Sequence, residues 1–185
     1  MKTGSIEVIV GGMYSGKTEE LLRRVKRFRY AKKNVMVVKP KIDNRYSESE
    51  VVSHSGIFVD SVIISDISDL NVDSSVDVVA IDEAQFFGSD LISVCTELAN
   101  NGKVVIIAGL DMDFNGKPFQ PMPEMMAIAE SVDKLHAVCT ECGEKATFSY
   151  LKENETDGSN IKVGGKEKYE ARCRKCYNNA LLVDK

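Results

Sequence analysis

Between Ser5 and Leu135 the apolar residues come either in short unbroken runs or at helical spacing, and the two patterns take turns. Ser5–Val10 is a β-rich run, after which Leu21, Leu22, Val25 and Phe28 recur at steps of one, three and three residues, as on a helix with one buried face. Asn34–Pro40 predicts a second strand, stopped by its proline. Residues 41–56 are largely polar and charged and predict a loop, and Ile57–Ile64 resumes a strand pattern. Val76–Phe87 reads as an apolar strand with two acids near its end, Leu91–Leu98 as a helix, Lys103–Leu110 as a strand, and Met122–Leu135 as a late helix. In that helix Met122, Met125 and Met126 read as core filling. Alternating strands and helices predict an α/β domain over residues 1–136, its mostly parallel sheet flanked by helices, with the cysteine-bearing residues 137–185 as a small second domain.

The turn between the first strand and the first helix carries chemistry. Gly11, Gly12, Met13, Tyr14, Ser15, Gly16, Lys17 and Thr18 fit the template G-x-x-x-x-G-K-[ST]. In such a loop, backbone N–H groups wrap a phosphate, the lysine reaches the β and γ phosphates, and the hydroxyl ligates Mg²⁺. Strand before and helix after place the anion at a helix N-terminus. This predicts a P-loop NTPase-like domain and a nucleoside triphosphate as guest.

A second strand end bears on what the triphosphate is for. Val78–Ile81 deliver Asp82 and Glu83 to the sheet edge, where open α/β sheets bind ligands. Asp82 fits a Walker-B acid that holds Mg²⁺, leaving Glu83 free to take a proton. The motif alone does not choose between water and an alcohol as nucleophile, so a DNA-associated ATPase and a nucleotide sensor stay open.

Charge narrows those classes. The 185 residues carry 24 Lys and Arg against 28 Asp and Glu, a net charge of −4, which argues against gripping nucleic acid as the main task. Arg23, Arg24, Lys26, Arg27, Arg29, Lys32 and Lys33 therefore read as a solvated helix face. His54 and His136 read as surface or loop residues. No apolar run approaches the ~20 residues of a membrane helix, and the expectation is a soluble cytoplasmic protein.

Of five cysteines, Cys95 reads as a core thiol, while Cys139-x-x-Cys142 and Cys173-x-x-Cys176 match a closed tetrahedral zinc site. Four thiolates leave no coordination position for substrate, so the metal is structural. The stretch between the pairs, with its glycines and Tyr169, has the composition of a lid tied at both ends.

The segments GGMYSGKT, KPKIDNRY, IDEAQFF, GLDMDF and KLHAVCTECG…VGGKEKYEARCRKCY together resemble the cytosolic type of thymidine kinase, over nearly the whole chain. The resemblance implies transfer of the γ-phosphate of ATP to the 5′-hydroxyl of thymidine, and of deoxyuridine, in nucleotide salvage. It implies Mg²⁺, structural zinc, a homotetramer, inhibition by thymidine triphosphate, and neither nucleic-acid nor membrane partners. By the same resemblance Glu83 is the general base, Asp82, Thr18 and Asp43 organise Mg²⁺, and Lys17 and Arg45 stabilise the transferring group. Gln85, counted with the cofactor-binding residues, resembles a neighbour of the base that supports the site rather than touching the thymine. Phe86, Phe114 and Phe119 resemble the walls of the thymine pocket, Ile161, Val163 and Gly164 the lid backbone that meets the base, and Tyr169 the tyrosine that packs over the nucleoside. From the residues alone the three phenylalanines read equally well as core. Gly12 stands where many members have proline, and Ser149 where a threonine often faces thymine. Leu151–Lys162 matches the pattern poorly.

Overall fold

A computed structural model of the protein describes residues 3–41, 50–52, 58–152 and 168–183. Strands β1 (Ser5–Val10), β2 (Val35–Pro40), β3 (Glu50–Val52), β4 (Phe58–Asp60), β5 (Val62–Ile64), β6 (Val78–Ile81), β7 (Val104–Gly109) and β8 (Ser131–Lys134) come first. After them come β9 (Ala137–Val138), β10 (Lys145–Ala146), β11 (Phe148–Leu151) and β12 (Tyr169–Arg172). The helices are α1 (Lys17–Tyr30), α2 (Asp90–Asn100), α3 (Met122–Ile128) and α4 (Arg174–Val183).

Six strands form one sheet in the order β5-β2-β6-β7-β1-β8, and every neighbouring pair is parallel. Its central strands are apolar runs because both faces are covered. Ile9, Val37, Ala80, Ile106 and Ala108 meet Leu21, Leu22 and Val25 of α1 on one face. Val8, Val10, Val79, Ile81, Val105 and Ile107 meet Leu91 and Cys95 of α2 and Met122 and Met125 of α3 on the other. Met126 is only partly buried against that cluster, and burial pushes the Cys95 thiol up to about 12.

Three local patterns differ from expectation. Residues 50–52, inside the expected polar loop, pair antiparallel with β4. The expected strand Ile57–Ile64 is divided, and its second part joins the main sheet as β5.

The late helix is also shorter than its apolar spacing suggests. It stops at Ile128, Ala129 turns extended, and 131–134 becomes the sixth strand. The free edge of β1 captures this segment. Glu130 N–H donates to the Ile6 carbonyl at 3.0 Å, its carboxylate accepts from Ile6 N–H at 2.6 Å, and Glu7 to Val10 then run in register with Ser131 to Lys134. All four strand residues are exposed, so neither helical nor strand periodicity marks them.

Arg24 pins this edge. Its guanidinium donates to Glu20 at 2.8 Å, Glu7 at 2.7 Å and Asp133 at 2.5 Å, joining α1, β1 and β8, and its side chain is only 11% exposed. It is therefore the exception on a face read as solvated. Arg24→Ala removes the shared partner of Glu7 and Asp133, while Glu20 keeps Arg23, and is expected to lower stability by about 1 kcal/mol. The measurement is urea unfolding, with a lower midpoint and an unchanged slope. Arg23→Ala, at an exposed position, should leave the midpoint near that of the wild type.

Candidate phosphate-transfer site and cysteine cluster

β1 runs straight into the glycine loop and α1 begins at Lys17, so residues 11–16 must turn sharply below the end of β8. Gly11 has φ 149°, and a Cβ on it would lie 2.4 Å from the Leu135 carbonyl oxygen, a clash that only glycine avoids. Lys17 Nζ donates to the Gly12 carbonyl at 2.9 Å, which lays the ammonium across the loop. Ser15 Oγ is buried in the same turn and has no hydrogen-bond partner among the described residues. A phosphate oxygen fits that need, and the helix N-terminus beside it favours an anion.

Thr18, one residue into α1, meets the end of β6. Its hydroxyl donates to Asp82 Oδ2 at 3.0 Å, and Asp82 Oδ1 accepts from Glu83 N–H at 3.0 Å. Asp82 is 6% exposed. A hydroxyl and a buried carboxylate converging on one spot form an oxygen donor set suited to Mg²⁺.

Glu83 follows in the left-handed region, with φ 50° and ψ 40°. Such a conformation costs a non-glycine residue about 1–3 kcal/mol, and residues held in it cluster at functional sites. It turns the chain from the strand into a short 3₁₀ turn, Ala84–Phe86. Gln85 is buried there. Its Nε2 donates to Glu83 Oε2 at 2.6 Å, while its Oε1 accepts from Leu110 N–H at 2.9 Å. Expected to support the site rather than touch the thymine, Gln85 ties Glu83 to the end of β7.

Phe86 and Phe119 meet edge to face with ring centroids 6.2 Å apart, both half-buried. Phe114 is also half-buried, and its carbonyl accepts from Tyr177 Oη at 2.7 Å. The loop carrying Phe114 and Phe119 is closed by Phe119 N–H donating to the Asp111 carbonyl at 3.0 Å, and the buried Asp111 carboxylate pairs with Lys134 at 2.6 Å. Asp111, Lys134 and Tyr177 lie within the quoted motifs, yet spacing gave them no role. Tyr177, an aromatic directly after the second cysteine pair, was the readable signal.

Tyr169 opens β12 opposite Leu151 and is 5% exposed. Ser149, in the facing strand β11, is equally buried, and its Oγ accepts from Met13 N–H at 3.0 Å. Arg45, Asp43, His54, Ile161, Val163 and Gly164 lie outside the described residues.

Hairpin β9–β10 carries the first cysteine pair, and the junction of β12 with α4 carries the second. The Sγ atoms of Cys139, Cys142, Cys173 and Cys176 all lie within 4.8 Å of one another, with Cys142 and Cys173 3.7 Å apart. Four thiolates about 2.3 Å from a tetrahedral zinc stand about 3.8 Å from each other, so the set fits the metal. Burial opposes ionisation of Cys139, but N–H groups of Cys173, Cys142 and Glu141 outweigh it and bring that thiol down to about 6. Nearby, Arg172 is taken up by Glu170 at 2.9 Å and Glu141 at 3.1 Å and stacks 4.1 Å above the Tyr150 ring, while Arg174 lies over Phe148. Two of the tail's cations are thus occupied within the chain.

A family model described as thymidine kinase matches residues 4–177. Curated thymidine kinases from two Bacteroides fragilis strains, YCH46 and ATCC 25285, are each 52% identical over 185 residues, covering 100% of this chain and 92% of theirs. That of Bacteroides thetaiotaomicron is 52% identical over 184 residues, covering 99% and 92%. Among solved structures, domain III of the Thermotoga maritima replication initiation protein DnaA overlaps 70% of this chain and 54% of its own at TM-score 0.43 and 19% identity, a loose likeness only. The match that runs from the glycine loop through Asp82 and Glu83 to the last cysteine pair makes this chain a member of the thymidine kinase family.

Proposed function

We propose that the protein is an ATP-dependent thymidine kinase that converts thymidine to thymidine monophosphate in nucleotide salvage and also accepts deoxyuridine. The observation that carries this is the chain of contacts Thr18–Asp82–Glu83–Gln85, which sets a Mg²⁺ donor pair and a restrained carboxylate side by side at the phosphate loop of a chain in this family. Residues 1–136 bind the nucleotide, and 137–185 form the zinc-stapled lid domain.

In this reading Glu83 removes the proton of the 5′-hydroxyl as its oxygen bonds to the γ-phosphorus. The bond from that phosphorus to the β–γ bridging oxygen breaks, and ADP leaves. Gln85 holds the carboxylate in line through the Leu110 amide, which limits its freedom before reaction. Lys17 and Arg45 spread the charge of the transferring group. Thr18, Asp82 and Asp43 hold Mg²⁺, which when bound neutralises the phosphate oxygens. Phe86, Phe114 and Phe119 supply apolar walls for the planar base, Ser149 borders it, and Ile161, Val163, Gly164 and Tyr169 close over it. Thymidine triphosphate is the feedback inhibitor, the enzyme works as a homotetramer, and its site of action is the cytoplasm. No helix among the described residues is long and apolar enough to cross a membrane.

A nucleoside panel with ATP and Mg²⁺ tests the assignment. Thymidine is expected to be phosphorylated in preference to deoxycytidine and purine nucleosides. Equal rates on deoxycytidine would reject the pocket, and ATP hydrolysis stimulated by single-stranded DNA without nucleoside phosphorylation would reject the kinase.

The two carboxylates are separable. Glu83→Gln keeps the shape and removes the proton acceptor, so turnover should fall about 10²- to 10⁴-fold with ATP and thymidine affinities nearly unchanged. Asp82→Asn should instead raise the Mg²⁺ concentration needed for half-maximal turnover. Titrating Mg²⁺ for both variants shows whether the roles divide this way.

Metal analysis should find one zinc per chain. Cys142→Ala is expected to lose it and to raise the apparent KM for thymidine, because the hairpins that carry the lid lose their staple. Full activity in wild-type protein free of zinc would contradict a structural role.

A further inference from the structure

The tip of the phosphate loop does not stand free above the sheet edge; it is built into the wall of the cysteine module. Three contacts show this, each from a different loop residue. At Gly12 a Cβ would lie 3.0 Å from the Thr147 carbonyl oxygen and 3.3 Å from its carbon, so the loop and the start of β11 are already in close approach. At Met13 the backbone N–H donates to Ser149 Oγ at 3.0 Å. Tyr14, left-handed at φ 65°, packs on the small core of Ala137, Cys139, Ala146 and Ala171 beside Cys173 and Cys176.

We infer that Ser149 is a positioning residue for the phosphate loop, the polar link through which the cysteine module fixes the loop's shape for ATP. This rests on the kinase reading for its substrate, but the contact itself spans the nucleotide side of the site. A phosphate loop works by aiming successive N–H groups inward. Met13 N–H is aimed at Ser149 instead, which fixes the orientation of the Gly12–Met13 peptide plane. The arrangement is held from the other strand too, since Ser149 pairs with Ala171 two residues before Cys173. Ser149 is 4% exposed, so water cannot take its place without opening the contact. A role at the loop and a role at the nucleoside differ in which ligand feels the loss of the hydroxyl. Ser149→Ala leaves the Met13 N–H unsatisfied inside the contact, while Ser149→Thr keeps the acceptor.

Calorimetric titration with Mg²⁺–ADP, without any nucleoside, reads the loop alone. Ser149→Ala is expected to raise the ADP Kd and the KM for ATP about tenfold. Zinc content should remain at the wild-type value, and Ser149→Thr should restore ADP binding. Unchanged ADP affinity, or a loss confined to thymidine, overturns the inference and leaves Ser149 as a nucleoside contact only. A wild-type protein that binds ADP but not thymidine would instead reject the kinase reading while leaving this test intact. Should Ser149→Ala fail to fold, hydrogen exchange in the nucleotide-free wild type decides. The Met13 amide is then expected to be protected, and exchange at the rate of an unstructured peptide overturns the proposal.

Discussion

Parallel pairing is the constraint on which the rest of this structure depends. Because β1, β6, β7 and β8 all run the same way, their C-terminal ends lie along one edge, and whatever follows each strand is brought there whatever its distance in sequence. The glycine loop follows β1, Asp82 and Glu83 follow β6, Leu110 and Asp111 follow β7, and Leu135 follows β8. The same pairing requires cover on both faces, which α1 supplies on one and α2 and α3 on the other. The meeting of these loops is thus a by-product of burying two apolar faces, and the side chains at the edge add direction to positions the sheet already fixes.

Much of that frame is legible in the sequence because it is written in strong local signals. The two middle strands, β6 and β7, carry no polar side chain, as strands buried on both faces tend to, and the loop template names its own phosphate ligands. The sixth strand is not legible, since Ser131–Lys134 are exposed and owe their conformation to the open edge of β1 and to Arg24, a partner over a hundred residues away. The same distance hides Arg24 itself, which sits in a row of basic residues that look alike until the fold shows which one faces three carboxylates. At the site, Asp82 and Glu83 are readable from their strand, whereas the Gln85 bridge to Leu110 depends on β6 and β7 being neighbours.

The cysteine module shows the same division more sharply. Its candidate ligands are readable from spacing because a closed tetrahedral zinc site needs four donors, and two C-x-x-C pairs supply four thiolates. Its location is not, because nothing in two CxxC pairs says which part of the main domain they will lean on. The structure puts them against the phosphate loop on one side and the loop of Phe114 on the other, the latter through Tyr177, whose ring stacks on Phe148 at 4.5 Å while its hydroxyl holds the Phe114 carbonyl.

That placement changes what the metal is for. A site this small buries little apolar surface, and zinc on the four thiolates would supply the missing free energy of folding. If the module touched only a lid, that rigidity would serve the nucleoside alone. It also touches Gly12, Met13 and Tyr14, so the stiffness reaches the tip of the glycine loop. Tyr14 in its left-handed conformation makes the point energetically: a loop tip held in a strained arrangement needs surroundings that leave it no easier alternative. Here those surroundings are the core of a metal-binding module rather than the sheet from which the loop springs.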